Sequence, residues 1–132
     1  MEFPVAFKSG VVEARGVRGG RTVTAKRETS GKCAKLALET IADSIVNVTA
    51  LDAQGREVPD ANDELIFEIE GAGELLGVGN GNPLDHTREG RPAKRAVRKL
   101  YNGKAQAVIR TTAGTGGWKL RVKSADGRIV AD

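Results

Sequence analysis

Apolar and polar residues alternate in short runs along most of this chain, and each run stops at glycine or at an Asp- or Asn-containing turn. Alternation with a period of two puts successive side chains on opposite faces of an extended backbone, so each run predicts a half-buried β-strand. Leu65, Phe67 and Ile69 against Glu68 and Glu70 make the clearest case. Ala105, Ala107 and Ile109 repeat it, as do Trp118, Leu120 and Val122 against Lys119, Arg121 and Lys123. Ile45 to Leu51 places Val46, Val48 and Ala50 on one side, and Lys35 to Glu39 does the same with Leu36 and Leu38. Near the start, Val11 to Arg15 and Arg21 to Lys26 flank Gly19-Gly20, a pair suited to the positive φ angles of a tight hairpin. Asp52-Ala53-Gln54-Gly55 reads as a turn whose carboxylate accepts backbone hydrogen bonds. Val58-Pro59 must be extended or at an edge, because proline cannot donate to a ladder.

A sustained amphipathic helix is missing from this pattern. Residues 92–100 come nearest, yet Val97 and Leu100 are their only large apolar residues. The 17 glycines, spread singly and in pairs between apolar runs, agree with many turns. Seven or more short strands of this kind predict an all-β, antiparallel β-sandwich.

Several function classes fall away on residue counts. Cys33 is the only cysteine, which rules out an internal disulfide and a multi-cysteine metal cluster. A nucleophile reading of Cys33 would need His86, the single histidine, as its base; a partly buried thiol is the plainer reading. No run approaches the about 20 apolar residues of a membrane span, and residues 1–10 lack the basic flank and apolar stretch of a secretory signal. The net charge of +4 is moderate and compatible with simple solubility.

The motifs that invite chemistry mostly fail on spacing. Gly71-Ala72-Gly73 and Gly77-Val78-Gly79-Asn80-Gly81 resemble phosphate loops, but Leu76 or Asn82 stands where a dinucleotide fingerprint has its third glycine. Gly103-Lys104-Ala105 and Gly31-Lys32-Cys33 lack the hydroxyl of a P-loop. These glycines therefore read as sharp turns between strands. Asp60 to Glu64 is acidic, yet has neither the central glycine nor the late glutamate of a calcium loop, so no metal site and no cofactor are expected. The 17 acidic residues include no pair that spacing selects as the two carboxylates of glycoside hydrolysis, so no catalytic residue is assigned. Arg88, Arg91, Lys94, Arg95, Arg98, Lys99 and Lys104 make a basic stretch beside Tyr101, but aromatic residues are only 4% of the chain. Without stacking platforms the stretch reads as a solvated face or a surface for an acidic neighbour, not as a nucleic-acid site. Asn47-Val48-Thr49 matches a glycosylation acceptor inside a predicted strand, and Trp118 alternates as a core residue.

Read in order, Val48-Thr49-Ala50-Leu51-Asp52-Ala53-Gln54-Gly55-Arg56-Glu57-Val58-Pro59-Asp60-Ala61, then Leu65 to Gly73, Gly77-Val78-Gly79-Asn80-Gly81-Asn82, Tyr101 to Arg110 and Gly117-Trp118-Lys119-Leu120 form a series. That series resembles the C-terminal immunoglobulin-like domain of many family 2 glycoside hydrolases, most of them β-galactosidases, over roughly residues 45–127. Upstream, Gly10 to Gly16 and Thr29-Ser30-Gly31 resemble the last hairpin of the domain that precedes it. The chain departs from the family at Asn82, where aspartate is usual, and in the strongly basic stretch from Arg91 to Lys99.

The resemblance implies an immunoglobulin-like β-sandwich over residues 41–132 and, over residues 1–40, the terminal hairpin of a preceding β-domain packed on it. It implies a non-catalytic accessory module of a β-galactosidase-like parent, bracing or positioning a catalytic barrel that lies elsewhere. Partners are then other domains of that parent, in a periplasmic or extracellular setting in preference to the cytoplasm. Asn80, Asn82, His86 and Arg95 are the candidate contacts to oligosaccharide or partner. Two other readings share the pattern: an immunoglobulin-like repeat of a surface adhesin, and a carbohydrate-binding module using Asn80, Asn82, His86 and Trp118.

Overall fold

The computed structural model of the protein describes residues 4–87, 93–112 and 117–132. Arg88 and Arg91 of the basic stretch, and Pro92, lie outside the described residues. The chain divides into two compact units, Met1–Ser30 and Gly31–Asp132.

The first unit is an antiparallel hairpin of β1 (Val11–Arg18) and β2 (Arg21–Glu28), in register from Arg18 opposite Arg21 to Val11 opposite Glu28. Its two-residue loop has Gly19 and Gly20 both at positive φ, the conformation that matches the right-handed twist of paired strands. One face carries Val12, Ala14 and Gly16 opposite Arg27, Ala25 and Val23. Every residue of both strands is exposed, including Val12, Val17 and Val23.

In the second unit, β3 (Lys35–Ile41), a 3-10 turn at Ala42–Ser44, β4 (Ile45–Leu51), β5 (Glu64–Gly71), β6 (Gly73–Gly79), β7 (Arg95–Lys99), β8 (Lys104–Thr111), β9 (Trp118–Ser124) and β10 (Val130–Ala131) follow in order. They form two four-stranded antiparallel sheets, β3-β4-β8-β6 and β10-β9-β5-β7. The first sheet and the β10-β9-β5 part of the second reproduce the four-against-three plan of an immunoglobulin domain. β7 is added at the free edge of β5.

The alternation explains the core. Val46, Val48 and Ala50 of β4, Leu65, Phe67 and Ile69 of β5, Ala105, Ala107 and Ile109 of β8, and Leu120 and Val122 of β9 are all buried in one cluster. Trp118 packs against that cluster half-buried, as its alternation predicted. Asp52, 1% exposed, fixes the turn after β4: its carboxylate accepts from the backbone N–H groups of Gly31, Gln54 and Arg56 and from Arg56 Nε, at 2.7–3.0 Å.

Two expectations need adjustment. Gly73, Gly77 and Gly79 are not turn glycines but part of β6, paired with β8 around a bulge that pushes Leu76 outward. Glycine is required at 73 because a Cβ there would sit 2.7 Å from both Ile69 Cδ1 and Trp118 Cβ. Residues 95–99, the nearest approach to a helix in the sequence, form strand β7. β3 pairs with β4 along its full length and belongs to the second unit.

Candidate functional site

The densest polar construction among the described residues lies where the loop after β6 returns towards β7. Arg98 belongs to edge strand β7 but has the inward parity of Ala96, so its guanidinium enters the sandwich and is only 5% exposed. A buried charge needs partners. Arg98 Nε donates to the Val78 carbonyl at 2.8 Å, and Nη1 donates to Asp85 Oδ2 at 3.1 Å and to the Thr87 carbonyl at 3.3 Å. Lys94 adds a second tie across the same edge, donating from Nζ to the Gly71 and Gly73 carbonyls at 2.9 and 2.7 Å. An inward-pointing charge also blunts an edge strand against pairing with other chains.

Asp85 is the centre of the loop. It accepts from the Thr87 N–H at 3.0 Å and from Asn80 Nδ2 at 2.9 Å as well as from Arg98. The Thr87 hydroxyl and N–H, with smaller help from Arg98 and Asn80, hold its carboxyl far below the usual carboxylate range. Asn80 Nδ2 also donates to the Lys99 carbonyl at 3.1 Å, tying the loop to the end of β7. Asn80 Oδ1 accepts from the Asn82 N–H, and Asn82 Oδ1 accepts from the Leu84 N–H, both at 3.0 Å. The loop is therefore held from within, and Leu84 stands out from it 81% exposed.

Beside this loop runs an open groove bounded by Asn82, by Asn62 and Glu64 at the start of β5, by Lys99 at the end of β7 and by Tyr101 beyond it. Tyr101 is presented by a closed two-residue turn: Tyr101 and Lys104 exchange N–H to carbonyl bonds of 3.0 Å around Asn102 and Gly103, both at positive φ. Gly103 is pinned further, its N–H donating to the Ala61 carbonyl and its carbonyl accepting from the Ala50 N–H.

The candidate contacts divide accordingly. Asn80 and Asn82 come together at the groove, but Asn80 is committed to the loop. His86 is exposed on the same loop. Arg95 lies exposed on β7 with its Nε 3.8 Å from Glu68, facing away from Arg98. Asp85 has no role in the sequence reading, and Arg98 and Tyr101 enter it only as a member of the basic stretch and the aromatic beside it. The signal for Arg98 was its parity within residues 95–99, legible only once that run is recognised as a strand.

Asp85 is ionised and hydrogen-bonded on both oxygens, so its carboxylate is spent on holding the loop. Among the described residues no cluster of His, Cys, Asp and Glu is placed to hold a metal.

The sequence signature of glycoside hydrolase family 2 C-terminal domain 5 matches residues 32–128. A β-galactosidase of Bacteroides ovatus is 33% identical over 130 residues, covering 91% of this chain and 15% of that protein. Among solved structures, a glycosyl hydrolase family 2 member from Bacteroides cellulosilyticus superposes with a TM-score of 0.76 at 25% identity, over 96% of this chain and 18% of its own. A β-glycosidase from Bacteroides vulgatus gives 0.72 at 25% identity, over 95% and 17%. The chain thus spans less than one fifth of the length of these relatives.

Proposed function

We propose, from the premise that this chain belongs to the glycoside hydrolase family 2 C-terminal domain 5 family, that it is a non-catalytic accessory module of a larger glycosidase. In this reading it braces or positions a catalytic domain that acts on carbohydrate, and its partners are the other domains of that protein. The observation that carries the reading is the family match over residues 32–128 in a chain that spans less than one fifth of its relatives' length, and the hairpin β1–β2 agrees with it. Its Val12, Ala14, Ala25 and Val23 share one face, and every residue of both strands is exposed. A two-stranded hairpin is at best marginally stable alone, so such a face calls for further polypeptide to cover it. The row Ile41–Ile45–Val108, in register across β3, β4 and β8 on the outward face of their sheet, offers a second apolar contact of the same kind. Direct contact with oligosaccharide is a second role, favoured by the groove at Tyr101.

The test is to read the continuous reading frame that contains these codons. A barrel domain with a pair of catalytic carboxylates in the same polypeptide is the expected result. Tandem copies of this module with no such domain would overturn the proposal in favour of an adhesin.

A further inference from the structure

We infer that the groove between Asn82 and Tyr101 is a subsite for an uncharged oligosaccharide, with Tyr101 as its stacking platform; this rests on the accessory-module reading above. Three features of the groove converge on that ligand class.

The first is the aromatic ring. Tyr101 is 37% exposed, and its turn is closed by its own hydrogen bonds and tied to Ala61 and Ala50. The backbone that carries the ring is fixed in this way, which lowers the ordering cost on binding, and the C–H face of a hexose is a suitable partner for an aromatic face. The second is the set of amides. Asn62 and Asn82 line the groove, and Asn82 spends its Oδ1 on the Leu84 N–H, which leaves its Nδ2 facing other demands. Side-chain amides, which both donate and accept, suit sugar hydroxyls.

The third is charge. Glu64 and Lys99 stand directly opposite each other across β5 and β7, and Asp85 is neutralised by Arg98. The groove therefore presents no net charge from these four groups, which favours a neutral polyol over an anionic sugar or a phosphate. The loop that supplies Asn82 is ordered beforehand by the Asp85–Arg98–Asn80 bonds, so the site exists before ligand arrives. His86 and Arg95 take no part in it.

The experiment titrates the ¹⁵N-labelled 132-residue chain with β-1,4-galactotetraose and with cellotetraose, each to about 10 mM, and with tetragalacturonate as the charged comparison. The expected result is saturable shifts of the Asn82, Lys99, Tyr101 and Asn102 amides with at least one neutral probe. Tyr101→Ala should weaken that binding at least about tenfold while the remaining spectrum is unchanged, and Tyr101→Phe should retain most of it. Shifts that survive Tyr101→Ala, or that are largest with tetragalacturonate, overturn the inference. So does the lack of any shift with both neutral probes. If a catalytic barrel is nevertheless found in the same reading frame, the accessory-module proposal stands and only the groove assignment falls.

Discussion

Replacing Phe67 by alanine should remove a large part of the stability of the Gly31–Asp132 unit, while an equally drastic change on the hairpin should leave that unit untouched. Phe67 is fully buried on β5, between Ala96 of β7 and Val122 of β9, and faces the core between the sheets. Truncation forfeits about 2 kcal/mol of transfer free energy, and the cavity left between two sheets that cannot close up raises the loss to about 3–5 kcal/mol. A unit of this size has roughly 5–15 kcal/mol in all. At roughly 4–8 °C per kcal/mol, its melting temperature should fall by about 12–40 °C. Val23→Ser changes a residue that is 52% exposed, on a strand with no buried residue, and should cost less than about 0.5 kcal/mol. Thermal melts followed by near-ultraviolet circular dichroism at Trp118, with urea midpoints at fixed m-value, measure both. A Val23→Ser loss comparable to that of Phe67→Ala would show the hairpin to be part of the sandwich's cooperative core. A Phe67→Ala variant melting within a few degrees of the parent would refute the core assignment.

Gly103→Ala should destabilise by at least about 2 kcal/mol, because its φ is +71° and the new Cβ would meet the Val58 carbonyl oxygen at 2.2 Å. Gly81→Ala, at φ +73° with open space around it, should cost about 1–2 kcal/mol; denaturant midpoints of the two variants give the comparison. Asp52, Asp85 and Asp126 all have carboxyls held below the unfolded value near 3.9, Asp126 down to about 2 by the Ser124 hydroxyl and Arg128. Their stabilisation is therefore present above the unfolded value near 4 and lost as pH falls through the folded values, about 2 for Asp126 and lower for Asp52 and Asp85, so melts should show an acid limb from about pH 4 downward that is shallower in Asp52→Asn. Arg98→Met should leave the strands paired but remove the bonds that tie Asp85 and Thr87 of the 80–87 loop to β7, read as faster amide exchange at Leu84 and Thr87 than in the parent.

Much of the sandwich was legible because half-buried strands advertise themselves. β4, β5, β8 and β9 each carry inward residues at alternate positions, and the structure buries those residues. Gly19-Gly20 gave the hairpin for the same local reason. β6 was hidden because its core contribution comes partly from backbone: Trp118 packs over Gly73, and the bulge at Leu76 breaks the alternation. β7 was hidden because its inward residues are Ala96 and Arg98, a pattern that reads as polar until the partners of Arg98 are known. The same fact explains the site. Asn80 and Asn82 stood out from the glycines around them, but their roles depend on Asp85 and Arg98, thirteen positions apart and joined only by the fold.

On the proposed reading this module serves a glycosidase without performing its chemistry. Its most direct test is to incubate the purified chain with p-nitrophenyl β-galactoside and p-nitrophenyl β-glucuronide across pH 4–8, at enzyme-excess concentrations, and to follow nitrophenolate release after quenching in base. Release should be indistinguishable from buffer at every pH. Release that scales with chain concentration, and that is lost in Glu64→Gln, would contradict it and make the groove an active site.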